Sequence, residues 1–161
     1  MNKIFAVSVF PVLMLMQTVF VPTAVQTSNE ELSPLELGNF SVSLAVKDLN
    51  ASREFYEKLG FKVIAGALAE KYLILQNETG TIGLFHGFFE KNMLTFNPGW
   101  DRNSKTLKEF TDVRDIQKTL IERGLTLVTK ADEASAGPAS LMVIDPDGNP
   151  ILIDQHVTKS K

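Results

Sequence analysis

The stretch from Val46 to Phe61, VKDLNASREFYEKLGF, has an echo later in the chain, and that echo restricts the fold more than any other feature. At one constant offset Asp48 meets Asp112, Leu49 meets Val113, Tyr56 meets Leu120, Gly60 meets Gly124 and Val63 meets Leu127. No gap is needed. An acidic cap, a run of helical spacing, a terminating glycine and an apolar strand, written twice, predict two copies of one structural unit.

Each copy reads as a βαβββ module. Phe40, Val42, Leu44 and Val46 alternate with Ser41, Ser43 and Ala45, the period of a strand with one buried face. Asp48 or Asn50 then caps a helix that is expected to bury Leu49, Phe55, Tyr56 and Leu59 and to stop at Gly60. Strand signals follow at Phe61–Ala65, Tyr72–Gln76 and Thr81–His86. The second module opens at Asn92–Asn97 and passes through a loop holding Pro98, Gly99 and Trp100. Its helix starts after Thr111 or Asp112, buries Val113, Ile116 and Leu120, and ends at Gly124. Three strands, Leu125–Thr129, Ser140–Ile144 and Pro150–Asp154, complete it, the last two joined by the turn sequence Asp145-Pro-Asp-Gly-Asn149. Two open sheets, each with an apolar face, must pack together. The expected fold is α+β, a barrel-like mixed sheet with a concave pocket formed from both modules.

The chain has 161 residues, no cysteine and a net charge of −3. Disulfides, thiolate metal ligands and a cysteine nucleophile are therefore excluded. There is no polybasic footprint, so nucleic acid is not an expected partner. Residues 1–27 carry Lys3 ahead of an apolar run from Ile4 to about Val25, which reads as a secretory signal; the alternative is an uncleaved membrane anchor. Either way the domain is expected outside the cytoplasm, in the periplasm or secreted, or held at the membrane. Residues 28–38 read as a polar tether and residues 39–157 as the domain, with module one over about 39–90 and module two over about 91–157.

VKDLNASREFYEKLGF, together with VIDPDGNPILI near the end, resembles the vicinal oxygen chelate superfamily of glyoxalase, bleomycin-resistance and dioxygenase-like proteins. The likeness covers roughly Phe40 to Val157. It implies the paired-module fold, a small-molecule site and, as in many members, a homodimer. It also implies a divalent metal held by His, Glu or Gln on strands of both modules. The matching positions here are Ser41, Gly83 or Leu84, and Leu152, with Thr95 and Asn97 as the polar candidates where the second module opens. None offers an imidazole or carboxylate, and one amide does not replace four ligands. No phosphate loop or nucleophile elbow is present.

Two other sets of residues could build a site. Strand alternation places Asp154 and His156 on one face with Leu152, and matching the final strands of the modules brings Leu84 and His86 to the corresponding inward face. His86, Asp154 and His156 would then form a two-histidine, one-carboxylate metal set, or else be ordinary strand-end residues. Phe96, Asn97 and Trp100 would give apolar walls with a polar orienting group, or else simply packing and a loop cover. Phe85, Phe88 and Phe89 cluster as core or subunit interface.

The function expected from these readings is an exported, metal-independent, glyoxalase-like domain that binds a small organic ligand by enclosure, without a cofactor and without assigned catalytic residues. The alternative is a metal-dependent lyase, isomerase or dioxygenase using His86, Asp154 and His156. A third reading is a ligand-free scaffold joined through its Phe-rich face.

Overall fold

Asp48 turns the chain out of strand β1 (Asn39–Ala45) into helix α1 (Leu49–Lys58), accepting a hydrogen bond from the Ala51 N–H at 3.0 Å. Asp112 does the same for helix α2 (Val113–Glu122), accepting from the Arg114 N–H at 3.0 Å. Each satisfies a donor that the first helical turn leaves free, worth about 1 kcal/mol. Beyond the helices Gly60 and Gly124 take φ of 88° and 83°, where a Cβ would be strained. The next N–H groups, of Phe61 and Leu125, return to the Tyr56 and Leu120 carbonyls. The sequence repeat is thus a repeat of caps.

A computed structural model describes residues 32–159; the leader and the tether before residue 32 lie outside the described residues. Module one continues with β2 (Lys62–Ala67), β3 (Tyr72–Gln76) and β4 (Thr81–Phe85). Module two comprises β5 (Met93–Asn97), α2, β6 (Leu127–Thr129), β7 (Ala139–Ile144) and β8 (Pro150–Gln155). All eight strands form one mixed sheet in the order β2-β3-β4-β1-β5-β8-β7-β6. β1 runs parallel to β4, and β5 runs parallel to β8; β1 and β5 meet antiparallel at the centre. The α+β fold of two βαβββ modules is as expected, but the sheet is open, with β2 and β6 as its edges, and is not closed into a barrel.

Both helices cover the same kind of surface. Leu49 of α1 joins Leu73, Leu75 and Leu84 in one core cluster, with Tyr56 and Phe61 against it. Val113, Ile116 and Leu120 of α2 join Leu141, Val143 and Ile153 in the other, where Leu35, Leu37 and Phe96 also pack. Two expectations for α1 are corrected: Phe55 and Leu59 are 57% and 58% exposed. Tyr56 is seven residues from Leu49 and returns to the same side, whereas Phe55, six residues away, lies about 120° around the helix. Gly38 (φ 85°) lets the chain enter β1 against β5, because a Cβ there would sit 2.2 Å from the Asn97 carbonyl oxygen.

A buried polar knot joins β8 to α2. Gln155, fully buried, accepts from the Val113 N–H at 2.8 Å and donates to Asp112 at 2.8 Å and to the Val157 carbonyl at 3.0 Å. Arg114 donates to Asp112 at 3.0 Å and to the Asp132 and Gly137 carbonyls and Ser135 Oγ, which ties down the loop before β7. Burial opposes the Asp112 charge. The hydrogen bonds from Gln155 and Arg114, with the Arg114 charge, outweigh it and hold the carboxyl below its ordinary 3.8.

Ile116→Ala should destabilise the domain by about 2–5 kcal/mol in denaturant titrations, and Phe55→Ala by about 0.5 kcal/mol or less. Since the folded-state value of Asp112 is lowered, its contribution is complete above about pH 4 and disappears as the pH falls through that lowered value. Asp112→Asn should therefore cost about 3 kcal/mol at neutral pH, through loss of the Arg114 pairing, and flatten the acid limb of the stability curve.

Candidate functional site

The backbone register decides which side chains can meet. Ser43 pairs with Gly83 across β1 and β4, and with Met93 across β1 and β5. Gly83 pairs with Ile74, and Ile74 with Ala65, so one row crosses the sheet as Ala65, Ile74, Gly83, Ser43 and Met93. A second row runs Ser41, Thr95, Leu152, Met142 and Thr129. Ile153, Leu141 and Leu84 face the helices. Alternation consequently puts both rows on the face that carries no helix among the described residues, the helix-free face below.

Ser41, Gly83, Thr95 and Leu152 therefore share the centre of that face. Ser43 and Thr95, both buried, join their hydroxyls at 2.8 Å. Each hydroxyl spends part of its bonding capacity on the other, and neither is a strong ligand for a hard cation. No group of three or more His, Cys, Asp or Glu side chains suited to a metal occurs among the described residues. The residues at the superfamily's usual metal positions do not fit a divalent ion.

The expected inward placement of Leu84 and His86 is corrected. Leu84 is fully buried in the α1 core, and Gly83 takes the helix-free position because successive strand residues alternate faces. His86, two residues beyond Leu84, has its Nδ1 3.1 Å from the Val46 carbonyl oxygen. It lines a hollow of about 260 Å³ with Lys47, Asp48 and Lys71. It is not grouped with Asp154 and His156.

Those two do meet. The His156 Nε2 lies 3.2 Å from Asp154 Oδ2, and the His156 ring stacks on Trp100 at a centroid distance of 4.3 Å and 13° between planes. The Asn97 side chain donates to the Asp154 carbonyl at 3.1 Å. Asn97, Trp100, Asp154 and His156 thus gather where β5 and β8 end side by side. Phe96 does not join them, since it faces the α2 core and contacts Phe40 at 5.1 Å.

A feature that sequence reasoning placed in the core or an interface lies beside the central rows. Tyr72 and Phe85, a cross-strand pair, stack at 5.9 Å and 13°. Phe88 and Phe89 meet the Phe85 ring at 5.5 and 5.2 Å, and Phe88 is 58% exposed. The tyrosine is the missed member, and only pairing across β3 and β4 reveals it. A larger hollow, about 410 Å³, lies between α1 and the end of β1 and is lined by Phe55, Tyr56 and Asn92.

Trp100 is the only tryptophan. His156→Ala should uncover its indole and shift its emission to longer wavelength while costing about 0.5–1.5 kcal/mol. An unchanged spectrum would show that the stack does not exist in solution.

Three structural comparisons agree on the fold. The chain is similar to a glyoxalase/bleomycin resistance protein/dioxygenase superfamily member from Vibrio splendidus 12B01 (18% identity, 73% of this chain and 97% of that one, TM-score 0.51). It is similar to methylmalonyl-CoA epimerase from Mycobacterium tuberculosis (16%, 78% and 92%, TM-score 0.54). It is also similar to a structure described as NAD-dependent benzaldehyde dehydrogenase from Legionella pneumophila (18%, 73% and 99%, TM-score 0.55). No curated protein matches. The family model for the Glyoxalase/Bleomycin resistance protein/Dioxygenase superfamily matches residues 40–153. With the cap repeat, the paired modules and this match over more than half its length, the chain belongs to that superfamily.

Proposed function

We propose that this chain is an exported, glyoxalase-like binding domain that takes a small organic ligand on the helix-free face of its sheet and uses no metal there. The observation that carries this reading is the chemistry of the central positions. Ser41, Gly83, Thr95 and Leu152 stand together where the superfamily usually holds its ion, and they offer hydroxyls, a hydrogen and an isobutyl group. A Lewis acid requires several hard or imidazole donors. Such a face recognises by shape, apolar contact and a few neutral hydrogen bonds.

The apolar leader supports export, and the superfamily likeness supports a homodimer; neither nucleic acid nor a cofactor enters the reading. Asn97, Trp100, Asp154 and His156 form a polar end to the same face, where a ligand's hydrogen-bonding groups would be oriented.

Elemental mass spectrometry on the purified full-length chain, prepared without chelator and then incubated with zinc, iron, nickel or manganese, tests the proposal. Well under one-tenth equivalent of tightly held metal per chain is expected in every case. Close to one equivalent, lost on His156→Ala or Asp154→Ala, would replace the binding domain with a metal-dependent lyase, isomerase or dioxygenase.

A further inference from the structure

The helix-free face also indicates what class of molecule it would hold, an inference that rests on the binding reading above. Gly83 is buried although it has no side chain, because the Phe85 ring lies over it. A Cβ built on Gly83 would meet Phe85 Cε2 at 2.4 Å and Cζ at 3.0 Å, and Ile74 Cδ1 at 3.3 Å. The ring therefore leans along its strand toward the centre of the sheet. Tyr72 stacks parallel to it, while Phe88 and Phe89 brace it at steeper angles.

Next to this ring stand the hydroxyls. Ser43 is the register partner of Gly83, so the apolar seat passes within one strand spacing, about 4.8 Å, to the Ser43–Thr95 pair. From Ile74 to Met93 the row spans three spacings, about 14 Å. No ionisable side chain stands in either central row; Lys62 at the β2 edge and Asp154 at the end of β8 lie outside them. A charged group at the centre would lose its hydration without a partner. The complement of this surface is electrically neutral, planar and apolar at one end.

We propose that the ligand is an uncharged aromatic compound whose ring packs against Phe85, with Tyr72 and the exposed Phe88 alongside. Offset or edge-on ring contact adds to apolar burial and favours a flat ring over a flexible chain of equal area. Gly83 is a positioning residue, since its missing Cβ is what allows Phe85 to lie down.

The test uses the full-length chain and N-phenyl-1-naphthylamine, a neutral aromatic dye that brightens on leaving water, with decan-1-ol as a neutral, non-aromatic competitor. Variants are Phe85→Ala, Gly83→Ala, the exposed Phe88→Ala and, as a control in the α1 hollow, Phe55→Ala, each checked for folding by circular dichroism and melting. Saturable binding near one dye per chain is expected, weakened about tenfold or more by Phe85→Ala, several-fold by Gly83→Ala and Phe88→Ala, unchanged by Phe55→Ala and poorly displaced by decan-1-ol. Should one of the first two variants fail to fold, Phe88→Ala carries the comparison. Dye binding that ignores these substitutions, or that only Phe55→Ala removes, overturns the aromatic seat. If decan-1-ol competes as well as the dye while Thr95→Trp blocks both, the aromatic inference fails and the binding reading survives. Saturable binding of neither probe overturns both.

Discussion

The antiparallel seam between β1 and β5 is the constraint on which the rest of the structure depends. Five residue pairs, from Asn39 with Asn97 to Ser43 with Met93, join two modules that otherwise have their own helices and core clusters. Side chains alternate with period two, so a slip of β1 by one residue at this seam would send Ser41 and Ser43 toward the apolar cores and bring Phe40 and Val42 to the opposite face. The Ser43–Thr95 hydrogen bond and the Phe40–Phe96 ring contact, one on each side of the sheet, are both compatible with the observed register alone. The close approach of Gly38 to the Asn97 carbonyl holds the seam at its end.

The two modules repeat a plan but not a degree of burial. Helix α2 buries five residues, among them Arg114 and Gln117, whereas α1 buries only Leu49. Polar anchoring accounts for the difference. Gln117 exchanges hydrogen bonds with the backbone of Ala131 in both directions, and Arg114 binds the next turns of the same loop, so the segment before β7 is drawn over α2. Module one has only the short 3-10 turn Leu68–Glu70 between β2 and β3 in its place, and leaves α1 with exposed Phe55 and Leu59.

Much of the fold could be read from the chain because the decisive signals were local. Asp48 and Asp112 announce helix starts through their own side chains, and Gly60 and Gly124 mark helix ends through a φ that other residues avoid. The Asp145–Asn149 turn is equally self-contained, with the Asp145 carboxylate accepting from the Asp147 and Asn149 N–H groups. Errors arose where the outcome depended on partners far along the chain. Whether Gly83 or Leu84 faces the open side follows from pairing with β1, and which side Phe96 takes follows from pairing with β1 and β8. The Asp154–His156 neighbourhood was legible from spacing alone; the Trp100 stack that completes it required the loop after β5 to return to the end of β8. Tyr72 escaped notice because nothing in its own strand marks it as Phe85's partner.

The way Phe85 lies across Gly83 bears on descent. A glutamate or histidine introduced at position 83 by itself would collide with the ring, and shortening Phe85 by itself would uncover apolar surface with no new donor in return. A lineage that has adopted this arrangement must change both positions, and convert Ser41, Thr95 or Leu152 as well, before an ion gains a useful set of ligands. A hard-ion site at these positions is thus out of reach of any single substitution, because the recumbent ring ties position 83 to position 85.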